Sequence, residues 1–216
     1  MKSFVNTVPA KDQMIESAVV SFLGNADAPL RVLVLGNSIT RHSPKADIGW
    51  PYDWGMAASA PEKDYVHRLY AKLTESGKNV LMRVHQSACW ELGFKNPDCL
   101  KDFEDDKAFE ADVIVFRLGE NVPKENEHDI KDATIKLIDF IKKDGTRLIF
   151  TTCFWEHPEK DAAIKEAAEY FGAPVADILY EDESMMAIGL FEHEGVAGHP
   201  GDKGMEMIAD KIFALI

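Results

Sequence analysis

Residues 31–40 read RVLVLGNSIT: an almost wholly apolar run, then Gly36, Asn37, Ser38, Ile39 and Thr40. Apolar runs without polar alternation suit strands covered on both faces, as in a parallel sheet. Gly, Asn and Ser favour a turn immediately afterwards. The same signature returns at residues 79–84, 112–118, 146–152 and 174–179. Between these runs the apolar period becomes helical. Val66, Leu69, Tyr70 and Leu73 share a face within 62–76, Ile130, Thr134, Leu137, Ile138 and Ile141 precede Gly145, and Met205, Ile208, Ala209, Ile212 and Phe213 end the chain. Alternation of this kind predicts an α/β fold, a three-layer α/β/α sandwich around a central parallel sheet of about five strands. A first helix is expected within residues 12–23, making 1–28 an N-terminal helical extension of a single domain spanning 1–216.

The 216 residues fit one domain. With 24 Lys and Arg against 37 Asp and Glu the net charge is −13. That sign is wrong for a nucleic-acid binder, which needs a basic face to displace counterions. No apolar run approaches the ~18 residues of a membrane span, so no membrane partner is expected. Cys89, Cys99 and Cys153 cannot close into pairs and lack zinc-site spacing. Residues 1–13 hold no continuous apolar segment. The chain as written reads as cytoplasmic, although a secreted or periplasmic protein whose leader had been removed would look the same.

In an open parallel sheet, ligands bind beyond the C-terminal strand ends. Three segments there carry chemistry. Ser38 stands in the turn after the first run, where a serine is well presented as a nucleophile, although Gly-Asn-Ser-Thr also suits an ordinary turn or helix cap. Asn121, in Gly119-Glu120-Asn121, offers an amide to a developing oxyanion. His199, in Gly198-His199-Pro200, offers a base. Nucleophile, donor and base on successive sheet-edge loops form a hydrolytic constellation.

The order VLVLGNSIT, VFRLGENV, GHPGDKG resembles the SGNH subgroup of GDSL-type hydrolases from about Arg31 to the C-terminus. The resemblance implies that fold, flavodoxin-like in outline. It implies Ser38 as nucleophile and, through its backbone amide, as an oxyanion donor, Asn121 as a second donor, His199 as base, and no cofactor or metal. Three positions depart from the family. Asn37 replaces the usual aspartate. The second block, normally glycine, aligns best with Glu91, whose backbone amide would then donate. The aspartate three residues before the histidine is replaced by Val196. Loss of that acid costs about 10⁴ in rate in the Ser-His-Asp template. Glu194 as a substitute acid stands level with a Ser-His dyad oriented by a carbonyl of residue 196 or a neighbour. Asp202 reads as the N-cap of the last helix.

Trp50, Trp54, Trp90 and Trp155 all follow predicted strands, and flat aromatic faces suit a sugar ring; packing of the loops is the plainer reading of each. The acidic and histidine residues at 156–157 and 192–194 lack metal-site spacing. The expectation is a serine esterase acting on short-chain esters, acetyl esters among them, of a small molecule or carbohydrate. The rival is a catalytically impaired carbohydrate-binding protein on the same scaffold.

Overall fold

The computed structural model describes residues 16–216. Strands β1 (Val20–Gly24), β2 (Leu30–Gly36), β3 (Val80–Gln86), β4 (Val113–Arg117), β5 (Arg147–Thr151) and β6 (Val175–Ala176) form one six-stranded sheet in the order β1-β3-β2-β4-β5-β6. From β3 through β6 every neighbouring pair is parallel, as the continuous apolar runs predict. The sheet is nevertheless mixed. Residues 20–24 pair antiparallel with β3, Val20 opposite His85 and Gly24 opposite Leu81. The helix expected within 12–23 is therefore a strand from Val20 onward: pairing with the open edge of β3 overrides local preference. Residues 1–15, which hold the rest of the expected extension, lie outside the described residues. The last strand is also shorter than the expected 174–179. Beyond Ala176 the Thr152 hydroxyl takes over, donating to Asp177 at 3.2 Å and accepting from the Ile178 amide at 2.9 Å.

Helices α1 (Tyr65–Glu75), α2 (Ala88–Gly93), α3 (Glu104–Ala108), α4 (Ile130–Ile141), α5 (Pro158–Tyr170), α6 (Glu194–Ala197) and α7 (Asp202–Phe213) complete the sandwich. Alternate strand residues face opposite ways. Val32 and Val34 of β2 pack with Leu69 and Leu73 of α1 and Ile208 and Ile212 of α7. Leu33 and Leu35 pack with Leu137 and Ile138 of α4 and Ile164 of α5. Fully burying such a side chain stabilises by roughly 1.5–3 kcal/mol. A third, smaller apolar cluster joins Trp50, Met56 and Ala57 to Ala187 and Val196, clamping the segment after β2 onto the segment before α7.

The short helix α3 is tied to the sheet by charge. Asp106, fully buried, accepts from Arg83 Nε and pairs with His85 Nδ1, both at 2.6 Å. Removing one partner of a buried pair leaves an uncompensated charge, at about 3–5 kcal/mol. Asp106→Ala is accordingly expected to lower unfolding free energy by about that amount in urea titration, whereas truncating exposed Asp105 leaves the midpoint unchanged.

Candidate functional site

The chain passes from β2 to β3 on one side and then to β4 on the other, so the connections diverge at the C-terminal end of β2. A crevice is expected at such a switch point. The residue that ends β2 must be small: a Cβ on Gly36 would lie 1.7 Å from Thr40 Oγ1. The Thr40 and Arg41 amides both donate to the Asn37 carbonyl, at 2.9 and 3.1 Å, and this tight turn presents Ser38 at the sheet edge.

Ser38 Oγ lies 2.8 Å from His199 Nε2. His199 Nδ1 donates to the carbonyl of Gly195 at 2.6 Å. That bond fixes the tautomer with the proton on Nδ1, leaving Nε2 free to accept from the serine hydroxyl. The orienter is thus a backbone carbonyl. Glu194, the substitute acid that the sequence offered, is exposed and does not hold Nδ1. Val196 explains why no aspartate stands there: its side chain is fully buried in the third apolar cluster, where a carboxylate would be stripped of water. Trp155 packs edge-on against the His199 ring at 5.4 Å and donates its indole N–H to the Gly198 carbonyl at 3.1 Å. Burial pushes the His199 imidazole down from 6.5 to about 4, with the charges of Arg117 and His42 acting in the same direction.

Asn121 follows a glycine that the backbone requires. Gly119 has φ 148°, and a Cβ there would lie 2.9 Å from Ile164 Cδ1. The turn aims the Asn121 amide at the Glu91 carboxylate, Nδ2 to Oε2 at 2.6 Å. One amide proton is engaged there, leaving the other free for a ligand.

Glu91 is corrected by the structure. Its side chain is fully buried beneath the site, accepting from Asn37 Nδ2 at 3.1 Å, Gly119 N at 2.6 Å and Asn121 N at 3.2 Å as well as from Asn121 Nδ2. The residue from this segment that borders Ser38 is instead Ala88, at the first position of α2. Among the described residues, neither the Ser38 nor the Ala88 amide donates to a protein acceptor. A free amide at a helix start was legible in the sequence only through Ser87, and the glycine pattern led elsewhere.

Asn37 sits at the junction of this network. Its Nδ2 donates to Glu91 and, at 2.7 Å, to Glu120; its Oδ1 accepts from Arg117 at 2.6 Å. Arg117 is fully buried and also donates to Glu120. Burial, then the charge of Glu120, pushes the Glu91 carboxyl upward, against the pull of its N–H donors. An amide at 37 can donate to two carboxylates at once; the family's usual aspartate could not.

An open cleft of about 480 Å³ lies over Ser38, Asn121 and His199, bordered also by His42, Lys45, Gln86, Leu92 and His193. None of the tryptophans borders it. Trp50 and Trp90 are buried; Trp54 stacks on Tyr52 and donates to the Ala58 carbonyl; Trp155 backs the histidine. They pack behind the residues that line the cleft and present no face to it. His42, Lys45 and His193 were not singled out as site residues in the sequence, having no signal beyond residue type. Asp202 is not the N-cap, which is Gly201; its carboxylate instead accepts from the amide and hydroxyl of Ser59 at 2.9 and 2.6 Å. Cys89 is exposed, whereas Cys99 and Cys153 are buried.

No protein-family model matches the sequence, and no curated protein matches it. Solved structures do. The family 3 carbohydrate esterase of Clostridium thermocellum matches with a TM-score of 0.60 at 15% identity, over 86% of this chain and 94% of its own. A protein of Parabacteroides merdae described as a GDSL-like lipase gives 0.56 at 14% identity, over 87% and 95%. A two-domain esterase active on acetylated mannans gives 0.56 at 17% identity, over 86% of this chain and 48% of its own. The chain has the SGNH/GDSL hydrolase fold.

Asn37→Asp is expected to destabilise by about 1–3 kcal/mol at pH 8, the cost of unsatisfied and repelling buried groups. Crowded carboxylates have raised folded-state pKa values, so the deficit shrinks as pH falls and they protonate. Urea titrations of both proteins at pH 8 and pH 5 measure this; an equal deficit at both would contradict the carboxylate explanation.

Proposed function

We propose that the chain is a serine esterase that hydrolyses short-chain acyl esters, acetyl esters of carbohydrates among them, through a Ser38-His199 dyad. The carrying observation is the 2.8 Å contact between Ser38 Oγ and His199 Nε2, with Nδ1 committed to the Gly195 carbonyl. The carbohydrate and esterase activities named for proteins of the same fold support the substrate class.

In this reading His199 takes the hydroxyl proton as Ser38 Oγ attacks the ester carbonyl. The oxyanion accepts from the Asn121 side chain and the backbone amides of Ser38 and Ala88. His199 then protonates the departing alcohol. Water, deprotonated by the same imidazole, attacks the acyl-serine and releases the acid. The Gly195 carbonyl holds the ring and its tautomer as an acid would, but contributes only a dipole against the imidazolium. The absent aspartate was the main ground for an impaired binding protein, and the carbonyl removes much of it.

Ser38→Ala and His199→Ala are expected to reduce hydrolysis of 4-nitrophenyl acetate to background. Asn121→Ala should cost about 10²–10³ in kcat, the usual effect of one lost oxyanion donor. Glu194→Ala should leave the rate unchanged. Turnover that survives Ser38→Ala would sink the proposal.

The base must be neutral to act, so activity is lost only as pH falls through its pKa. With His199 near 4, kcat/KM should stay flat well below pH 6.5 and decline toward about 4. An acidic limb centred at 6.5 would contradict the burial of the dyad.

A further inference from the structure

The cleft is lined unlike the rest of the molecule. The chain carries 37 acidic against 24 basic residues. Yet the side chains bordering Ser38 include Lys45, His42 and His193 beside His199, and among the described residues no carboxylate. Asp47 and Glu192 border an adjoining groove that shares Ile48 and His193 with the cleft, and the Glu91 carboxylate lies beneath the floor, bonded to Asn121 Nδ2.

Lys45 and His42 are held in place before any ligand arrives. The His42 amide donates to the Trp54 carbonyl at 2.9 Å, and the Lys45 amide to the Trp50 carbonyl at 2.6 Å, with Trp50 N returning to the Lys45 carbonyl at 3.1 Å. The buried Trp50 indole donates to the His42 carbonyl at 2.9 Å. Arg41, beside them, grips Asp53 with two bonds at 3.0 and 2.8 Å. The aromatic segment is therefore a frame that presents two basic side chains to the cleft. His42 Nδ1 is engaged with the Ser43 carbonyl at 2.7 Å, which leaves Nε2 as its outward atom. His193, immediately before α6, borders the same cleft.

The ammonium of Lys45 lies 3.6 Å from Asp47, but the two side chains are 52% and 70% exposed. A pair so open to solvent is weak and leaves the lysine available. At physiological salt the field of the distant acidic surface is screened beyond about 8 Å, so the charges lining the cleft decide what it attracts.

We propose, resting on the esterase reading, that the substrate is an anionic ester: a short acyl ester carrying a carboxylate within reach of Lys45 and the His42 and His193 rings. Lys45 is the specificity-determining residue. The anion sits beside the reacting centre, and no part of the acyl transfer changes.

The test compares matched esters differing only in charge. One pair places it on the alcohol, an O-acetylated methyl glucuronoside against its amide; the other on the acyl part, the 4-nitrophenyl monoester of adipic acid against its methyl ester. In at least one pair the acid should exceed the neutral partner in kcat/KM by about tenfold at low salt, about 1.4 kcal/mol. The ratio should fall as ionic strength rises, and Lys45→Gln should bring it toward one. Lys45 is exposed, so its replacement removes no core contact. Equal or lower kcat/KM for the acid in both pairs, or a preference that Lys45→Gln leaves intact, overturns the proposal. If no ester turns over above the Ser38→Ala background, the esterase reading fails separately. Glucuronate and glucuronamide are then titrated into Ser38→Ala by NMR: tighter binding of the acid sustains the charge selectivity, and equal binding overturns it.

Discussion

A guanidinium without access to water is tolerable only when its lost hydration is replaced by close acceptors. Arg117, fully buried at the end of the central strand β4, meets that demand with Asn37 Oδ1 and Glu120. Glu120 in turn accepts from the Phe154 amide, and its carbonyl receives the Lys160 ammonium at 2.8 Å. Asn37 passes the network on to Glu91, and Glu91 gathers Gly119 and Asn121. The nucleophile turn, the oxyanion loop, the start of α5 and the helix after β3 are thereby bolted to one buried polar cluster. A network of this kind is favourable only when nearly complete. Within this cluster, and among the described residues, only Arg117 Nε is left without a partner.

The histidine is held by different means. Its loop is fastened by apolar packing, with Val196 and Ala187 against Trp50, Met56 and Ala57. The Met56 amide also donates to the Ser38 carbonyl at 2.9 Å. One small cluster thus sets the distance between serine and base from both sides. It also forbids an acid at 196, and the carbonyl of Gly195 inherits the orienting role. Specialising that position for packing lowers the basicity of the imidazole, because a neutral dipole stabilises imidazolium less than a carboxylate does.

The parallel strands and the helices α1, α4 and α7 were legible because their apolar periods are long and unambiguous, as in Leu33 and Leu35 against Val32 and Val34. The nucleophile, base and oxyanion asparagine were legible because each sits in a short segment directly after a strand or before a helix. The antiparallel edge strand was not: residues 20–24 take their conformation from the open edge of β3, far along the chain. Glu91 was misread for a related reason. It was placed by alignment with the family's second block, and only the packing of α2 against β4, Trp90 on Phe116, turns its side chain beneath the floor. The tryptophans misled in the opposite direction, since aromatic residues near a site serve equally well as packing behind it.

What the sequence determined by itself was local: which segments are strands and helices, and which loops carry a serine, an asparagine and a histidine. These follow from period and turn chemistry, which act over a few residues. What the tertiary structure decided was every relation between distant segments, including the Gly195 carbonyl behind His199, the exclusion of an acid at Val196, the Asn37-Arg117-Glu120 bonds and the meeting of His42, Lys45 and His193 around one cleft. Such relations depend on which atoms lose water together and must satisfy one another, and that is settled only when the chain has closed around them.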